Sequence, residues 1–404
     1  MANTLKRLSE DAQSDFRPFP YESTRFLLRT LATVLAMCTL GSTLFLVAAC
    51  STQNTIVTPS PGVWKIVHSP NPGSAQNNLS AIAATSATDA WVVGSFSNNQ
   101  FNLGAKALIE HWNGSMWRVV ASPTALLGDS ILNGAAAISP TNAWAVGVTF
   151  TESNSDRKQP LIEHWNGSIW TIVASPTVAN GAILTANTAL SATDIWVVGT
   201  GNSHGQTLPT HTLILHWDGK GWKAIHHPDP GSGFDVFTGV AAISPNDVWA
   251  IGLFSNENNG IEIGEELFEH WNGTSWTVIP SPHPGTQGNT LSTIAAVSPN
   301  NVWTVGNTNN GNSVTDVLIE QWNGTVWRTI PGQNPGTESN FLSAIVALSA
   351  HDIWTMGSSS NAASNNTSSQ QAQPLIEHWD GTSWSTVASP NIGTTIWWAL
   401  PHFA

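Results

Sequence analysis

Pairs of tryptophans recur along this chain at a nearly constant interval. Within each pair the second tryptophan follows the first by five residues, an Asn-Gly or Asp-Gly dipeptide stands between them, and successive pairs are 51 to 57 residues apart. The pairs are Trp112 and Trp117, Trp165 and Trp170, Trp217 and Trp222, Trp271 and Trp276, Trp322 and Trp327, and Trp379 and Trp384. A period of this length indicates an array in which each repeat is one supersecondary unit that stacks on its neighbours.

Each repeat is predicted to form four short strands. The first is rich in alanine, as in Leu79–Ala84, and a turn built from Ser, Pro, Asn or Asp follows it. The second strand has a pattern close to Trp-x-Val-Gly, and the third a pattern close to Leu-Ile-Glu-His-Trp. Asn-Gly or Asp-Gly then tolerates the positive φ angles of a tight hairpin. The fourth strand ends at Ser-Pro in most repeats, because proline cannot continue a ladder.

A single four-stranded sheet cannot bury both of its faces, so successive repeats must stack. Radial stacking gives an all-β fold, a β-propeller of four-stranded antiparallel blades, with small alanines near the crowded axis and tryptophans between the splayed outer strands. The twelve tryptophans are therefore predicted to be structural. We expect six complete blades, with repeats at approximately 78–130, 131–182, 183–234, 235–289, 290–340 and 341–395. The alternative is seven blades with one partial, because a further fourth-strand pattern, Trp64–Ser69, precedes the first repeat.

Three groups of propellers share these motifs. The glycine that ends the second strand and the tryptophan past the third resemble kelch and galactose-oxidase-like propellers. The Trp-Asn-Gly-x-x-Trp hairpin is similar to the Asp-box hairpin of sialidase-like propellers. Over residues 62–395 the chain also resembles the tryptophan-rich repeat of bacterial surface lipoproteins. These resemblances imply a β-propeller displayed at a bacterial cell surface.

The first 49 residues have the parts of an export signal. Five basic residues precede the uncharged stretch Thr30–Ala49, and Val47-Ala48-Ala49-Cys50 resembles a bacterial lipobox. That resemblance implies cleavage before Cys50 and lipidation of its sulfur. The alternative is an uncleaved signal anchor helix at 30–49, which is long enough to span a bilayer. Residues 50–61 are polar and are predicted to be a flexible tether to the propeller at 62–404. Either anchor places the propeller on the extracytoplasmic face of the membrane.

The charge of the exported part argues against nucleic-acid binding. From Cys50 onward the chain has 8 Lys and Arg residues and 22 Asp and Glu residues, a net charge of −14. Such a surface repels phosphate backbones. Because Cys38 lies in the apolar stretch, the mature chain keeps Cys50 alone, so we expect neither a disulfide nor a thiolate metal site. We expect the protein to be monomeric.

Alternation of the strands places the connections between second and third strands, and between one repeat and the next, on the same face of the propeller. This variable face is the expected binding surface, because its loops differ in length and carry residues that do not repeat. His204, His211, His227, Asp229 and Asp235 are predicted to bind a ligand there. Glu262, Glu265 and Glu266 follow, and their oxygens would suit calcium, the one cofactor considered. A solvated acidic face is the simpler interpretation of both groups.

The repeated histidines, such as His111 and His164, are predicted to be structural. Identical residues in different blades lie far apart around a ring, so they would pack beside tryptophan or hydrogen-bond a neighbouring blade. The exported part also has no tyrosine to serve as a sialidase nucleophile or as a copper ligand. The sequence therefore predicts a non-catalytic module that binds carbohydrate or protein. The alternatives are a glycosidase-like propeller enzyme that uses a carboxylate pair, and a structural envelope spacer.

Overall fold

A computed structural model describes residues 66–99, 104–123, 129–150, 158–178, 181–202, 210–258, 261–282, 288–309, 314–361 and 372–389. The predicted leader, tether and lipidation residue Cys50 lie outside these ranges. In the described ranges, no helix is long and apolar enough to cross a membrane.

The described residues form twenty-four strands, grouped in chain order into six blades of four. Blade 1 contains β1 (Gln76–Ser86), β2 (Asp89–Ser97), β3 (Lys106–Trp112) and β4 (Trp117–Val120). Blade 2 contains β5 (Ser130–Ser139), β6 (Asn142–Phe150), β7 (Lys158–Trp165) and β8 (Trp170–Ile172). Blade 3 contains β9 (Ala182–Ser191), β10 (Asp194–Asn202), β11 (Thr210–Trp217) and β12 (Trp222–Ala224). Blade 4 contains β13 (Val236–Ser244), β14 (Asp247–Asn258), β15 (Ile261–Trp271) and β16 (Trp276–Val278). Blade 5 contains β17 (Asn289–Ser298), β18 (Asn301–Asn309), β19 (Thr315–Trp322) and β20 (Trp327–Thr329). Blade 6 contains β21 (Ser339–Ser349), β22 (Asp352–Ser360), β23 (Ala372–Trp379) and β24 (Trp384–Thr386).

Within every blade the four strands pair antiparallel in chain order. The first strands of successive blades then pack against each other, from β1 and β5 through to β17 and β21. The first strands are thus the inner ones and the short fourth strands the outer ones, which confirms the predicted β-propeller architecture. We call the space between two successive blades a junction and number it by those blades, so that junction 3/4 lies between blades 3 and 4.

One glycine per blade is required by a bulge in the inner strand. In every blade the pairing of the first and second strands shifts by one residue opposite this glycine, as it does between Phe237 and Gly239 opposite Gly252. The shift brings the carbonyl oxygen of Val236 close to the Cα atom of Gly252, and a Cβ atom there would lie 1.9 Å from that oxygen. The glycine of the Trp-x-Val-Gly pattern is therefore needed for a close backbone approach.

The hairpin between the third and fourth strands uses its asparagine and glycine in different ways. Gly114 has the positive φ angle expected of the turn, 93°. The side chain of Asn113 instead accepts hydrogen bonds from the backbone N–H groups of Ser115 and Met116, at 3.0 and 3.1 Å from its Oδ1 atom. Asn or Asp therefore satisfies backbone donors of the turn through its side chain, as is usual for these residues in turns.

Tryptophans join each blade to the next. The buried Trp91 of β2 reaches into junction 1/2, where its ring centroid lies 4.9 Å from that of Trp165 and 5.1 Å from that of Trp170. The corresponding tryptophans of blades 2 to 5 make the same contacts with the following blade: Trp144, Trp196, Trp249 and Trp303. Each junction is thus filled by three indole rings, which bury a large apolar area and favour edge-to-face contacts.

The repeated histidines lie beside these tryptophans. The ring of His111 packs on Trp91 with centroids 4.3 Å apart, and its Nε2 atom is 2.7 Å from Oδ1 of Asp89. His164, His216, His270 and His378 repeat the arrangement with Asn142, Asp194, Asp247 and Asp352. The predicted contact with tryptophan is confirmed. The hydrogen bond, however, joins two residues of one blade instead of neighbouring blades, because the side chain points along its own sheet to the start of the second strand.

The segment before blade 1 behaves like the end of a preceding fourth strand. Val67 packs on the Ala90, Val92 and Trp117 cluster, as Val120 packs on the corresponding cluster of blade 2. The hydroxyl of Ser69 lies 3.0 Å from Oε2 of Glu110, and Ser122 contacts Glu163 in the same way at junction 1/2. These contacts favour the alternative in which a partial blade accompanies the six complete ones.

Candidate functional site

Four stretches of sequence that each lead into the first strand of a blade share a Pro-Gly motif. They begin Asn71-Pro72-Gly73, Asp229-Pro230-Gly231, His283-Pro284-Gly285 and Asn334-Pro335-Gly336, and Asn or Asp stands six residues after the first position of each. The third of these motifs, at 283–285, lies outside the described residues. The sequence-based predictions did not include this motif. An alignment of the connections by blade, instead of by chain position, would have revealed it.

The closing asparagine of the motif ties the loop together. The N–H of Gly73 donates to Oδ1 of Asn77 and the Nδ2 of Asn77 donates to the carbonyl of Gly73, both at 2.7 Å. Gly336 and Asn340 form the same pair of hydrogen bonds at 2.7 and 3.0 Å. One amide side chain therefore satisfies both a backbone donor and a backbone acceptor of the loop.

At junction 3/4 the closing position is Asp235, and an ionised carboxylate cannot donate as the amide does. Asp235 is fully buried, its Oδ1 atom accepts a hydrogen bond from the N–H of Ser255 at 3.2 Å, and its Oδ2 atom has no hydrogen-bond partner. Burial raises the pKa of Asp235 to about 7, and its contact with the carboxyl group of Asp229 contributes in the same direction. The two carboxyl groups therefore form a pair in which Asp235 holds a proton far more readily than an exposed aspartate.

Asp229 connects this pair to the surface. Its Oδ2 atom is 2.5 Å from Nδ1 of His211, and its Oδ1 atom accepts from the hydroxyl of Thr212 at 3.1 Å. The side chains of His211 and Asp229 are 52% and 32% exposed, so a ligand on the variable face can reach both of them. We call His211, Asp229 and Asp235 the junction 3/4 triad.

Beneath the triad lies a buried ion pair. Nδ1 of His227 is 3.4 Å from Oε1 of Glu269, and its Nε2 atom is 3.2 Å from the carbonyl oxygen of Thr212. Burial opposes the charged form of His227, but the hydrogen bond and the charge of Glu269 outweigh it, so the pKa of His227 is raised. Burial also raises the pKa of Glu269. His227 thus has a structural partner below the loop and lies apart from the exposed part of the triad.

At two other junctions, the glutamate that corresponds to Glu269 has a simpler hydrogen-bond partner than a histidine. At junction 1/2 the hydroxyl of Ser122 donates to Oε1 of the fully buried Glu163 at 2.8 Å. At junction 5/6 the N–H of Gln333 donates to Glu377. Burial raises the pKa of both Glu163 and Glu377 to about 7. Histidine at this place and two aspartates in the loop above therefore distinguish junction 3/4 from these two.

The structure brings together three of the five residues predicted to bind a ligand, and places His227 below them. His204 lies outside the described residues. Of the predicted metal ligands, the side chain of Glu262 is also outside them, and Glu265 and Glu266 are successive strand residues that point to opposite faces. Within the described ranges there is no group of three or more His, Cys, Asp or Glu side chains that could hold a metal ion.

Comparison with known proteins finds solved structures of similar fold but assigns the chain to no protein family. No protein-family model and no curated protein matches the chain. Among solved structures, YCF48 bound to a D1 peptide is 12% identical with a TM-score of 0.44, covering 78% of this chain and 82% of its own. A PL25 ulvan lyase is 11% identical with a TM-score of 0.49, covering 75% and 78%. The SapL1 lectin in complex with α-methyl fucoside is 11% identical with a TM-score of 0.39, covering 77% and 96%. All three are β-propellers of four-stranded blades.

Proposed function

We propose that this protein is a non-catalytic binding module, held by a lipid on Cys50 at the extracytoplasmic face of the membrane, which binds carbohydrate or protein through the junction 3/4 triad. The observation that carries the proposal is that the loop at junction 3/4 has different polar residues from the equivalent loops of the other blades. The scaffold provides loops closed by Asn77 and Asn340, and junction 3/4 replaces that neutral amide with two carboxyl groups and an exposed imidazole. Non-repeating polar groups on a rigid repeat scaffold are typical of binding sites.

A carbohydrate is the favoured ligand. Oδ1 of Asp229 accepts from the hydroxyl and the backbone N–H of Thr212, at 3.1 and 3.4 Å. Its Oδ2 atom contacts Nδ1 of His211 and keeps lone-pair capacity for a sugar hydroxyl. His211 adds a second hydrogen-bonding group beside it. Both side chains are held by partners, so little conformational freedom is lost when a ligand binds.

A binding experiment with a matched control tests this proposal. The full-length protein in detergent is applied to glycan and cell-wall polysaccharide arrays, and to peptide arrays, as wild type and as His211→Gln and Asp229→Asn variants. The control is His378→Gln, because blade 5 naturally has Gln321 at the equivalent position. We expect binding to be reduced by about tenfold or more in the site variants, a loss of roughly 1.4 kcal/mol or more, and unchanged in the control. Equal binding by all variants would place the ligand elsewhere.

The glycosidase alternative has one observation in its favour, a carboxyl pair in which one member has a raised pKa. However, Asp235 is fully buried and in contact with Asp229, whereas glycosidases separate their two carboxyl groups by about 5–9 Å to place a sugar or water between them. Release of reducing sugar from polysaccharide, lost in Asp229→Asn, would support the enzyme instead.

The membrane anchor is tested separately. Cys50→Ala removes the residue of the lipobox that is lipidated, so the variant should keep its leader and migrate differently from the wild-type protein in electrophoresis. A variant that stays membrane-bound with unchanged mobility would favour the uncleaved anchor at 30–49.

A further inference from the structure

The face opposite the variable face carries two short turns in every blade. One joins the first strand to the second, and the other is the Asn-Gly or Asp-Gly hairpin between the third strand and the fourth. We call this surface the tight-turn face. The hairpins form its outer rim, because the fourth strands are the outermost strands of the propeller. Their residues are equivalent by the repeat, so the rim can be compared blade by blade.

Exposed apolar side chains are concentrated on the rim of blades 1 and 2. The described residues include seven large hydrophobic side chains that are exposed, and four of these belong to the two hairpins and the fourth strands that follow them: Met116, Val119, Ile169 and Ile172. Met116 and Ile169 are 49% and 59% exposed. The other blades do not have a large apolar residue at both positions. Their equivalent pairs are Gly221 and Ala224, Ser275 and Val278, Val326 and Thr329, and Ser383 and Thr386. We call the four residues of the adjacent blades the blade 1/2 rim, and apolar patches of this kind are typical of interaction surfaces.

The surroundings of the blade 1/2 rim carry little negative charge. Arg118 is the only charged residue in the hairpin and fourth strand of blade 1, and the equivalent residues of blade 2 have none. In the turns between first and second strands, blade 2 has the neutral Asn142, and Asp89 of blade 1 is buried. The hairpins of blades 3 and 6 instead contain aspartates, Asp218 and Asp380. Although the exported part has a net charge of −14, an anionic bilayer would therefore not repel this region.

The chain enters the propeller from the same face. Val67 and Ser69 make the contacts that Val120 and Ser122 make one blade later, so residues 66–69 run in the direction of a fourth strand. A fourth strand begins at the tight-turn face and ends at the variable face. The chain that leads into this segment therefore arrives from the side of the tight-turn face.

A membrane anchor would hold this entry point close to the bilayer. Residues 50–65 lie between the proposed anchor and the described chain. A flexible chain of that length has a root-mean-square span of roughly 20–25 Å. Val67 packs on a cluster that contains Trp117, which follows Met116 in the sequence, so the entry point lies beside the blade 1/2 rim. The short tether makes contact between this rim and the bilayer an intramolecular event, for which weak apolar contacts are sufficient.

We propose that the blade 1/2 rim docks on the lipid bilayer, with Met116 and Ile169 entering the boundary between headgroups and acyl chains and the exposed Arg118 near anionic headgroups. Apolar side chains gain free energy when they leave water for this boundary, and basic side chains gain from anionic lipid. Docking in this way turns the variable face, and with it the junction 3/4 triad, away from the membrane. The proposal rests on the membrane anchor of the proposed function, in either its lipid or its helix form.

A fluorescent probe on the hairpin tests the docking. The full-length protein is reconstituted into liposomes that contain anionic lipid, with the dye NBD attached to Ser168→Cys, an exposed position next to Ile169. The control carries NBD on Thr325→Cys, the equivalent exposed position in blade 5. Both proteins also carry Cys38→Ser. A protein with Cys38→Ser and no introduced cysteine measures any label on Cys50.

We expect the probe at Ser168→Cys to emit at shorter wavelength and more strongly than the probe at Thr325→Cys. Lipids that carry a nitroxide on the acyl chain should quench the first probe and leave the second unchanged. The comparison uses one protein fold with one dye at two equivalent turns, so the difference in emission reports which side of the ring meets lipid.

A second measurement removes the apolar contacts. Met116→Ser combined with Ile169→Ser should abolish both the wavelength shift and the quenching of the probe at blade 2. Serine occurs naturally at these positions in blades 4 and 6, as Ser275 and Ser383, so the turn accommodates it. Val326→Ser is the matched control in blade 5 and should leave the emission unchanged.

The outcomes separate the anchor from the docking. A protein that does not float with liposomes would refute the anchor, and the docking with it. A protein that floats, but whose two probes emit alike, would refute the docking and leave the anchor standing. Short-wavelength emission from Ser168→Cys that nitroxide lipids do not quench would show that a second copy of the chain or another protein covers the rim, and would overturn the lipid proposal.

Discussion

Replacing the buried carboxyl group of Glu163 with an amide should remove a defined part of the pH dependence of stability. Glu163 is fully buried at junction 1/2, one of its oxygens accepts from Ser122 at 2.8 Å, and the other has no partner. Burial raises its pKa from 4.5 to about 7, and the Ser122 hydrogen bond lowers it by a smaller amount. In the folded protein the proton is therefore retained to a higher pH than in the unfolded chain.

The sign and size of the effect follow from this shift. Below pH 4.5 the carboxyl group is protonated in both states, and its contribution to folding is fully present. As the pH rises the unfolded chain releases the proton first, so the free energy of unfolding falls by about 1.4 kcal/mol per pH unit until the folded pKa is passed. Over the window from 4.5 to about 7 the loss amounts to roughly 3 kcal/mol.

Glu163→Gln should abolish this loss, because the amide does not titrate and can still accept from Ser122. Blade 3 naturally has the neutral, fully buried Leu215 at this position, so the fold accommodates an uncharged side chain there. We expect the variant to match wild type near pH 4 and to exceed it by up to about 3 kcal/mol at pH 8.

Urea denaturation followed by tryptophan fluorescence, at several pH values between 4 and 8.5, measures the difference between the two proteins. All other groups titrate equally in the wild-type protein and the variant, so the pH dependence of the stability difference is due to Glu163. Ser122→Ala is the companion variant. It removes the hydrogen bond that lowers the pKa and should extend the pH-dependent window upwards. A stability difference that does not change with pH, or a variant less stable than wild type at pH 8, would refute the reasoning.

Three further predictions concern the blades and the loop. Trp91→Ala should cost about 3–5 kcal/mol in denaturation experiments, because it removes one of the three indole rings that fill junction 1/2. A cost below about 1 kcal/mol would contradict the packing role. Gly252→Ala should destabilise the protein by about 1–3 kcal/mol, since its Cβ atom would lie 1.9 Å from the carbonyl oxygen of Val236. The control is Gly264→Ala, whose Cβ atom would meet no atom within 4 Å, so it should change thermal stability little. Asp235→Asn should stabilise the protein above pH 7 and much less near pH 4, because the pKa of Asp235 rises from 3.8 to about 7 on folding. Urea denaturation at the two pH values measures the difference. Equal effects at both would show that titration of Asp235 does not cause the change in stability.

Much of the blade could be predicted from short stretches of sequence. The Asn113-Gly114 turn, the stop at Ser122-Pro123 and the alternation of the strands involve neighbours in the chain, and local backbone preferences decide them. The tryptophan period then requires stacking, because a single sheet leaves apolar faces exposed. The architecture and the variable face therefore followed from sequence.

The contents of the junctions were decided by the tertiary structure. Glu163 meets Ser122 across 41 residues, and Glu269 meets His227 across 42, so no local pattern reveals these pairs. The repeat shows that a glutamate recurs. It does not show that the glutamate is buried between blades, where loss of water shifts its pKa. Likewise, His211, Asp229 and Asp235 lie together because blade packing brings a strand and a loop together. Sequence determined the unit that repeats, and packing determined which of its polar groups lack water and meet one another.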